Sequence, residues 1–240
     1  MSVLKLLRLH FDTPIEAQEL PEFRDVITDY LGFTGMYIFQ GDWHTAGELI
    51  DFERKISPPV ELAYPLLQWR LHRQGNGYTP SLICMSDRIE KVEESLVHNQ
   101  DSQVIVNGRP YPVWCRTPEY ETLRIATDKR SYTYELKRYL PVEGQNLVAF
   151  NRIQDQQERR RIVDIMLLNH LMLFAQSVSA DLKQELRVDN LFIQPQEVER
   201  IGAQSFAAFH LQFQSNLKLP DKVGLGCKAG LGYGVVEAAS

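Results

Sequence analysis

The eleven residues Gly224-Leu-Gly-Cys-Lys-Ala-Gly-Leu-Gly-Tyr-Gly234 hold five glycines and one lysine, six residues short of the end of a 240-residue chain. Glycine tolerates positive φ and lets another backbone or a ligand approach closely, so such a run dictates a tight, non-helical turn. Successive N–H groups in a turn of this kind, beside the ammonium of Lys228, suit a phosphate. Two phosphate motifs are excluded. The G-x-x-x-x-G-K-[ST] order of a Walker loop is missing, and a dinucleotide fingerprint would follow an early strand and open a helix. Leu225, Leu231, Tyr233, Val235 and Val236 stand among or just after the glycines. The segment is therefore expected to pack, not to trail as a flexible tail.

A chain of this length builds one large domain or two small ones. Its 44% apolar and 24% charged residues are ordinary for a globular protein. The net charge of −5 argues against non-specific polyanion binding but leaves room for a local basic groove. Basic residues cluster at Lys129-Arg130, Lys137-Arg138 and Arg159 to Arg161, with Lys218, Lys222 and Lys228 around the glycines. Each cluster also fits a solvated face. Cys84, Cys115 and Cys227 are odd in number and dispersed, which points away from a disulfide framework or a zinc knuckle. Charges at Lys5 and Arg8 break the first apolar run, unlike a signal peptide. No stretch reaches the roughly 18 apolar residues of a membrane helix. A soluble, cytoplasmic protein without a membrane segment is expected.

Periodicity supplies the elements. Val3 to Phe11 alternates as a strand, with Val3, Lys5, Leu7, Leu9 and Phe11 on one face. From Pro21, residues Phe23, Val26, Ile27, Tyr30 and Leu31 share one helical face, and Gly32 ends that helix. Met36 to Gln40 reads as a strand, and 41–59 as irregular. Tyr64 to Arg73 is the clearest strand, with Leu67, Trp69 and Leu71 opposite Gln68, Arg70 and His72. A turn at 74–77 leads to a strand at Ser81 to Met85, then a helix opens at Asp87-Arg-Ile-Glu90. Gln103 to Val106 is expected to close a first ferredoxin-like unit over residues 1–108. Residues 109–240 read as a second such unit, ending in the glycine-rich loop 224–234. Its expected strands are Tyr111–Cys115, Leu123–Ala126, Tyr132–Tyr139, Leu186–Ile193, Phe206–Phe213 and a last one, Tyr233–Glu237, after the glycines. A long helix from about Asp155 to Val178 is apolar almost all round at its centre, so it is expected to lie deep inside. The fold class is α+β: two tandem ferredoxin-like domains.

The glycine tail resembles the C-terminal loop of the CRISPR-associated endoribonucleases that cut precursor repeat RNA, within the RAMP superfamily. Asn216-Leu-Lys-Leu-Pro-Asp-Lys-Val-Gly-Leu-Gly226 is similar to the run that leads into that loop. Tyr64-Pro-Leu-Leu-Gln-Trp-Arg70, Ser81-Leu-Ile-Cys-Met-Ser86 and Leu167-Leu-Asn-His-Leu171 are similar to segments of one branch. The resemblance implies metal-independent cleavage, in which a 2′-hydroxyl attacks the next phosphate and leaves a 2′,3′-cyclic phosphate and a 5′-hydroxyl. It implies CRISPR repeat RNA as partner, with other CRISPR-associated proteins beside it: effector subunits, a reverse transcriptase or an integrase. No cofactor is implied, and neither HExxH nor a zinc spacing occurs in the sequence. The alternative within the fold is a non-catalytic RAMP-type RNA-binding subunit of an effector complex. A third reading, from another class, is a structural protein whose glycine loop docks a neighbour.

Such a reaction needs a base, an acid and a charge stabiliser near neutral pH. The resemblance assigns His44, in Gly41-Asp-Trp-His-Thr-Ala-Gly47, as the proton-transfer residue; a structural loop histidine is the alternative. Tyr37 is the candidate second hydroxyl, with Tyr30 and Trp43 as other aromatic candidates. RNA contacts are assigned to Gly224, Gly226, Lys228, Gly230, Gly232 and Lys222, and to Arg70 and His72, which share one strand face. Arg8 and His10 form a similar pair. His210 is a reserve candidate, His170 reads as a core histidine, and His98 suits a helix C-terminus. Arg159 to Arg161 oppose the helix dipole at the start of the long helix, so they need compensating contacts.

Overall fold

The first sheet is built by strands whose two faces carry different chemistry. The computed structural model describes residues 3–33, 64–75, 77–98, 103–113 and 118–239. Strand β1 (Leu4–His10) leads to helix α1 (Leu20–Tyr30), then β2 (Leu67–Gln74) and β3 (Gly77–Met85) form a hairpin, and α2 (Arg88–His98) follows. Gly32, at φ 74, ends α1 just past its last turn, where an L side chain would be strained.

The strand expected to close this unit does something else. β4 (Gln103–Val106) pairs with β5 (Arg109–Pro112) in a separate hairpin. Asn107 and Gly108 both have positive φ, 49° and 74°, as a two-residue hairpin turn of the favoured twist requires. The fourth strand is β6 (Glu119–Leu123), and the antiparallel order is β2-β3-β1-β6, the ferredoxin-like order. The division expected after residue 108 therefore falls too early, inside the first half.

The second half repeats this order. β7 (Thr127–Tyr139) is a thirteen-residue strand that begins five residues before the one expected at 132–139, while of the strand expected at 123–126 only Leu123 is in a strand, as the end of β6. Of the strand expected at 111–115, Tyr111 and Pro112 end β5. After β7 come α3 (Gly144–Arg152), α4 (Gln156–Ser177), β8 (Val188–Pro195), a small hairpin of β9 (Glu199–Ile201) and β10 (Gln204–Phe206), β11 (Phe209–Leu217) and β12 (Val235–Ala238). The sheet order is β12-β7-β11-β8, again fourth, first, third, second. Where a second crossover helix would stand, the chain has the glycine-rich segment with a single 3-10 turn at Ala229–Leu231.

Asp155 caps α4 by accepting from the N–H of Gln157 at 2.9 Å. Its apolar perimeter has a plain cause: the helix is buried between the two sheets. Val163, Leu167, Leu171 and Phe174 share one core with Leu4, Leu6, Ile83 and Met85 of the first sheet and with Leu136, Leu211 and Phe213 of the second. The other face of the first sheet packs Leu7, Leu9, Leu67 and Trp69 against Phe23, Ile27 and Val92. β1 is thus buried on both faces. Simple alternation puts Val3 and Lys5 on one face with Leu7 and Leu9, yet both are exposed while Leu7 and Leu9 are buried.

Candidate functional site

The face of the first sheet that meets the second half changes from apolar to polar along its length. Leu4, Leu6, Ile83 and Met85 receive α4. Farther along β1 and β2 the same face presents Arg8 and His10, and Gln68, Arg70 and His72. The glycine-rich segment lies over this polar end. Arg70 donates from Nε and Nη2 to the carbonyl of Lys222, both at 3.0 Å, and from Nη1 to those of Ala229 (3.2 Å) and Trp69 (2.7 Å). Its Nη2 also donates to Gln68 Oε1 at 2.7 Å. Gln68 Oε1 accepts from the N–H of Gly224 at 2.8 Å, and the Tyr64 hydroxyl donates to the Gly224 carbonyl at 2.7 Å. Burial pushes the guanidinium down to about 10, with the nearby Tyr64 hydroxyl opposing the shift, and burial raises that hydroxyl well above its ordinary range. Arg8 adds a bond to the Asp221 carbonyl at 3.0 Å.

This geometry corrects the expected phosphate cradle. The N–H groups of Gly224, Leu225, Cys227, Leu231, Gly232, Tyr233 and Gly234 all donate within the chain. A Cβ on Gly224 would meet Arg70 Nη2 at 3.0 Å, and one on Gly226 the Tyr139 ring at 2.7 Å. Gly230 is buried, and a Cβ on Gly232 would meet the Trp69 carbonyl at 3.2 Å. Lys228 pairs at 2.7 Å with Glu143, whose side chain is only 5% exposed. Arg70 is likewise inside, at 6% exposure. The glycines provide close approach, as expected, but to the chain itself. The segment is a latch between the halves, and neither Arg70 nor Lys228 presents a free cation to a phosphate.

Beside the latch opens a cleft of about 320 Å³ with walls from both halves: His72 and Leu71 from β2, Lys137 and Arg138 from β7, and Lys222, Gly232 and Glu237 from the C-terminal stretch. A β-bulge lets consecutive Lys137 and Arg138 line the same cleft. The pairing of β7 with β11 shifts register there, and Arg138 takes φ 52. Arg138 holds Glu199 with two bonds, at 2.7 and 3.0 Å, and its guanidinium lies 4.4 Å from the Tyr233 ring centre. His72 Nε2 is 2.8 Å from Ser81 Oγ, and its ring is 5.7 Å from that of His10. Burial, then His10, Arg70 and Lys222, push His72 below its ordinary value. The cleft therefore combines cations with an imidazole held in its neutral form at pH 7.

Of the expected site residues, Arg70, His72, Lys222 and Gly232 line the cleft, Arg70 with its guanidinium committed to the latch. Lys137 and Arg138 join them, although the sequence marked them only as a basic pair, because a bulge leaves no signature there. His44, Tyr37 and Trp43 lie outside the described residues. Tyr30 packs at the end of α1 against the first core. His170 is in the core, with Nδ1 2.7 Å from the Tyr139 hydroxyl, and burial pushes it down to about 3. His210 stands on the second sheet, 3.7 Å from Glu135. The arginines opening α4 find their compensating contacts: Arg159 donates to the Ile153 carbonyl, Arg160 to that of Leu191, and Arg161 pairs with Glu158. Among the described residues, no group of three or more His, Cys, Asp or Glu side chains could hold a metal ion. No described helix is long and apolar enough to cross a membrane.

Comparison with known proteins agrees with the sequence resemblance. Residues 126–239 match the family model of the Cas6b C-terminal domain. A crystal structure of Cas6b superposes with a TM-score of 0.71 at 14% identity, covering 99% of this chain and 100% of that one. A crystal structure of the CRISPR RNA processing endoribonuclease Cas6b gives 0.63 at 14% identity with the same coverage. Csf5, a type IV Cas6 crRNA endonuclease, gives 0.52 at 17% identity, covering 99% and 100%. No curated protein matches by sequence.

Proposed function

We propose that this chain, whose C-terminal half matches the Cas6b C-terminal domain and whose fold is that of Cas6 proteins, is an endoribonuclease that processes CRISPR precursor repeat RNA. The observation that carries the reading is that domain match over residues 126–239. The cationic cleft where the two halves meet supports it, because an RNA backbone needs a path of this charge. Lys137 and Lys222 are its phosphate contacts. His72 is the neutral donor or acceptor beside them.

The reaction is attack of a 2′-hydroxyl on the adjacent phosphate, giving a 2′,3′-cyclic phosphate and a 5′-hydroxyl. It consumes no water in this step, so its demands are one proton removed, one proton delivered and a stabilised phosphorane. His44 is our candidate for proton transfer and Tyr37 for the second hydroxyl. We place the protein in the cytoplasm, where its repeat transcript would be found, with other CRISPR-associated proteins as partners.

The test is incubation of wild type and His44→Ala with a matching repeat transcript in EDTA, followed by end-group analysis. The expected outcome is cyclic-phosphate and 5′-hydroxyl ends from the wild type. His44→Ala should cut at least about 100-fold more slowly while binding is retained. A wild type that binds the repeat tightly and never cuts it would make the protein an RNA-binding subunit.

A further inference from the structure

Two ammonium groups in the cleft converge on a single carboxylate. Lys137 Nζ lies 2.5 Å from Glu237 Oε2, and Lys222 Nζ lies 2.7 Å from Glu237 Oε1. The three side chains are open to solvent, at 48%, 47% and 28% exposure. Each oxygen of the carboxylate faces its own cation, which is also how a phosphodiester offers its two non-bridging oxygens. The ladder itself disfavours a carboxylate at Glu237. On the paired strands β12 and β7 it stands directly opposite Glu135, and like charges across a ladder are unfavourable. Its folded form is pulled below the ordinary carboxylate range by hydrogen bonds from Lys137 and then Lys222.

The neighbouring pair Arg138–Glu199 shows the contrast. There a planar fork holds both oxygens while its face lies on Tyr233, a geometry fixed by several contacts at once. Lysine ammoniums make single, rotatable bonds on flexible stems, and at an exposed rim these exchange readily.

We propose that Lys137 and Lys222 form a phosphodiester subsite in which Glu237 is the resident counter-anion, displaced into solvent when an RNA phosphate binds. Glu237 thereby sets how tightly, and up to what salt, the cleft accepts a nucleic-acid backbone. It disfavours chains that offer only one or two phosphates' worth of contact. The inference deepens the RNA-processing reading and rests on it for the identity of the ligand.

The experiment compares wild type, Glu237→Gln and the double variant Lys137→Ala/Glu237→Gln. Binding of a twelve-nucleotide oligouridylate is followed by anisotropy across a potassium chloride series, and thermal stability is followed with added pyrophosphate. Glu237→Gln is expected to bind the oligonucleotide about fivefold tighter, the upper range for one exposed ion pair. Its log–log salt slope should steepen by about 0.7, the value for one further phosphate on a single strand. Lys137→Ala in that background should remove the gain. Pyrophosphate should raise the melting temperature of Glu237→Gln more than that of the wild type. Equal oligonucleotide affinity in wild type and Glu237→Gln overturns the proposal, as does a gain that survives loss of Lys137. If no variant binds RNA but pyrophosphate still favours Glu237→Gln, the anion subsite stands and the RNA reading falls. If pyrophosphate stabilises both proteins equally, the subsite falls whatever the RNA result.

Discussion

A glycine selected for the room it leaves responds to substitution differently from one selected for its φ alone. Gly226 has φ 91, and a Cβ there would press on the Tyr139 ring at 2.7 Å and on the Leu140 carbonyl at 2.9 Å. Tyr139 is fully buried and bonded to His170, so it has nowhere to retreat. Gly226→Ala is expected to lose about 3 kcal/mol, left-handed strain and overpacking together. Gly75 has φ 59 with nothing within 4 Å; Gly75→Ala should lose only about 1 kcal/mol. Urea midpoints compare the two, and equal losses would show that close approach is not what the latch requires. Arg70→Met keeps the stem of a buried side chain but leaves the Lys222 and Ala229 carbonyls without their donors, an expected loss of about 2–4 kcal/mol in the same assay. Period-two alternation placed Gln68, Arg70 and His72 on one polar face, and that much was legible in the sequence. Their targets were not, because the carbonyl that Arg70 grips is 152 residues away in the chain. A basic residue on a polar strand face looks the same whether it awaits a phosphate or a distant backbone.

At the scale of elements, the sequence was most legible where one local rule decided the outcome. A helix apolar almost all round at its centre had to be buried there, and α4 lies between two sheets with its cap at Asp155. The expectation that β4 closes the first unit fails because it leaves out the local turn signal that follows this strand. Val106-Asn-Gly-Arg109 is a hairpin turn signal, and it takes β4 out of the main sheet. The strand that replaces it, β6, is a five-residue, mostly polar edge whose assignment depends on pairing with β1. Burial of His170 in α4 has a consequence for acid stability. Its folded value lies near 3, below the ordinary value of about 6.5. Between those values the unfolded chain binds a proton that the folded chain refuses. The contribution of His170 is therefore full above about pH 6.5 and erodes as pH falls, at up to about 1.4 kcal/mol per pH unit. His170→Gln retains a hydrogen-bonding partner for the Tyr139 hydroxyl and does not titrate. Its stability should fall less steeply than that of the wild type between pH 6.5 and 4.5, read from urea midpoints at each pH. Parallel curves would mean that the imidazole is accessible to protons in the native state.

For the whole molecule, the sharing of α4 between the sheets matters more than the resemblance between the halves. Two ferredoxin-like units in tandem suggest two independent folding units, but Leu4, Leu6, Ile83 and Met85 belong to the core that holds α4 and the second sheet. Without the second half, that face of the first sheet would be bare, and Gln68 and Arg70 would lose their bonds to the latch. The halves are therefore expected to unfold together. The chain contains its own probes for this: Trp43, Trp69 and Trp114 all precede the second half, while α4, the longest of the described helices at 22 residues, lies within the second half. Tryptophan fluorescence and far-UV circular dichroism should give coincident urea transitions with one midpoint. A fragment ending at residue 124 should bind a hydrophobic dye and lack a cooperative transition until residues 125–240 are added. Separate midpoints, or a stable fragment, would mean that the halves are joined only by the latch. Coincidence also bears on the cleft, whose His72 wall comes from one half and whose Lys137 and Lys222 wall comes from the other. A shared core fixes the spacing of those two walls, so a variant that loosens the core should also alter the cleft.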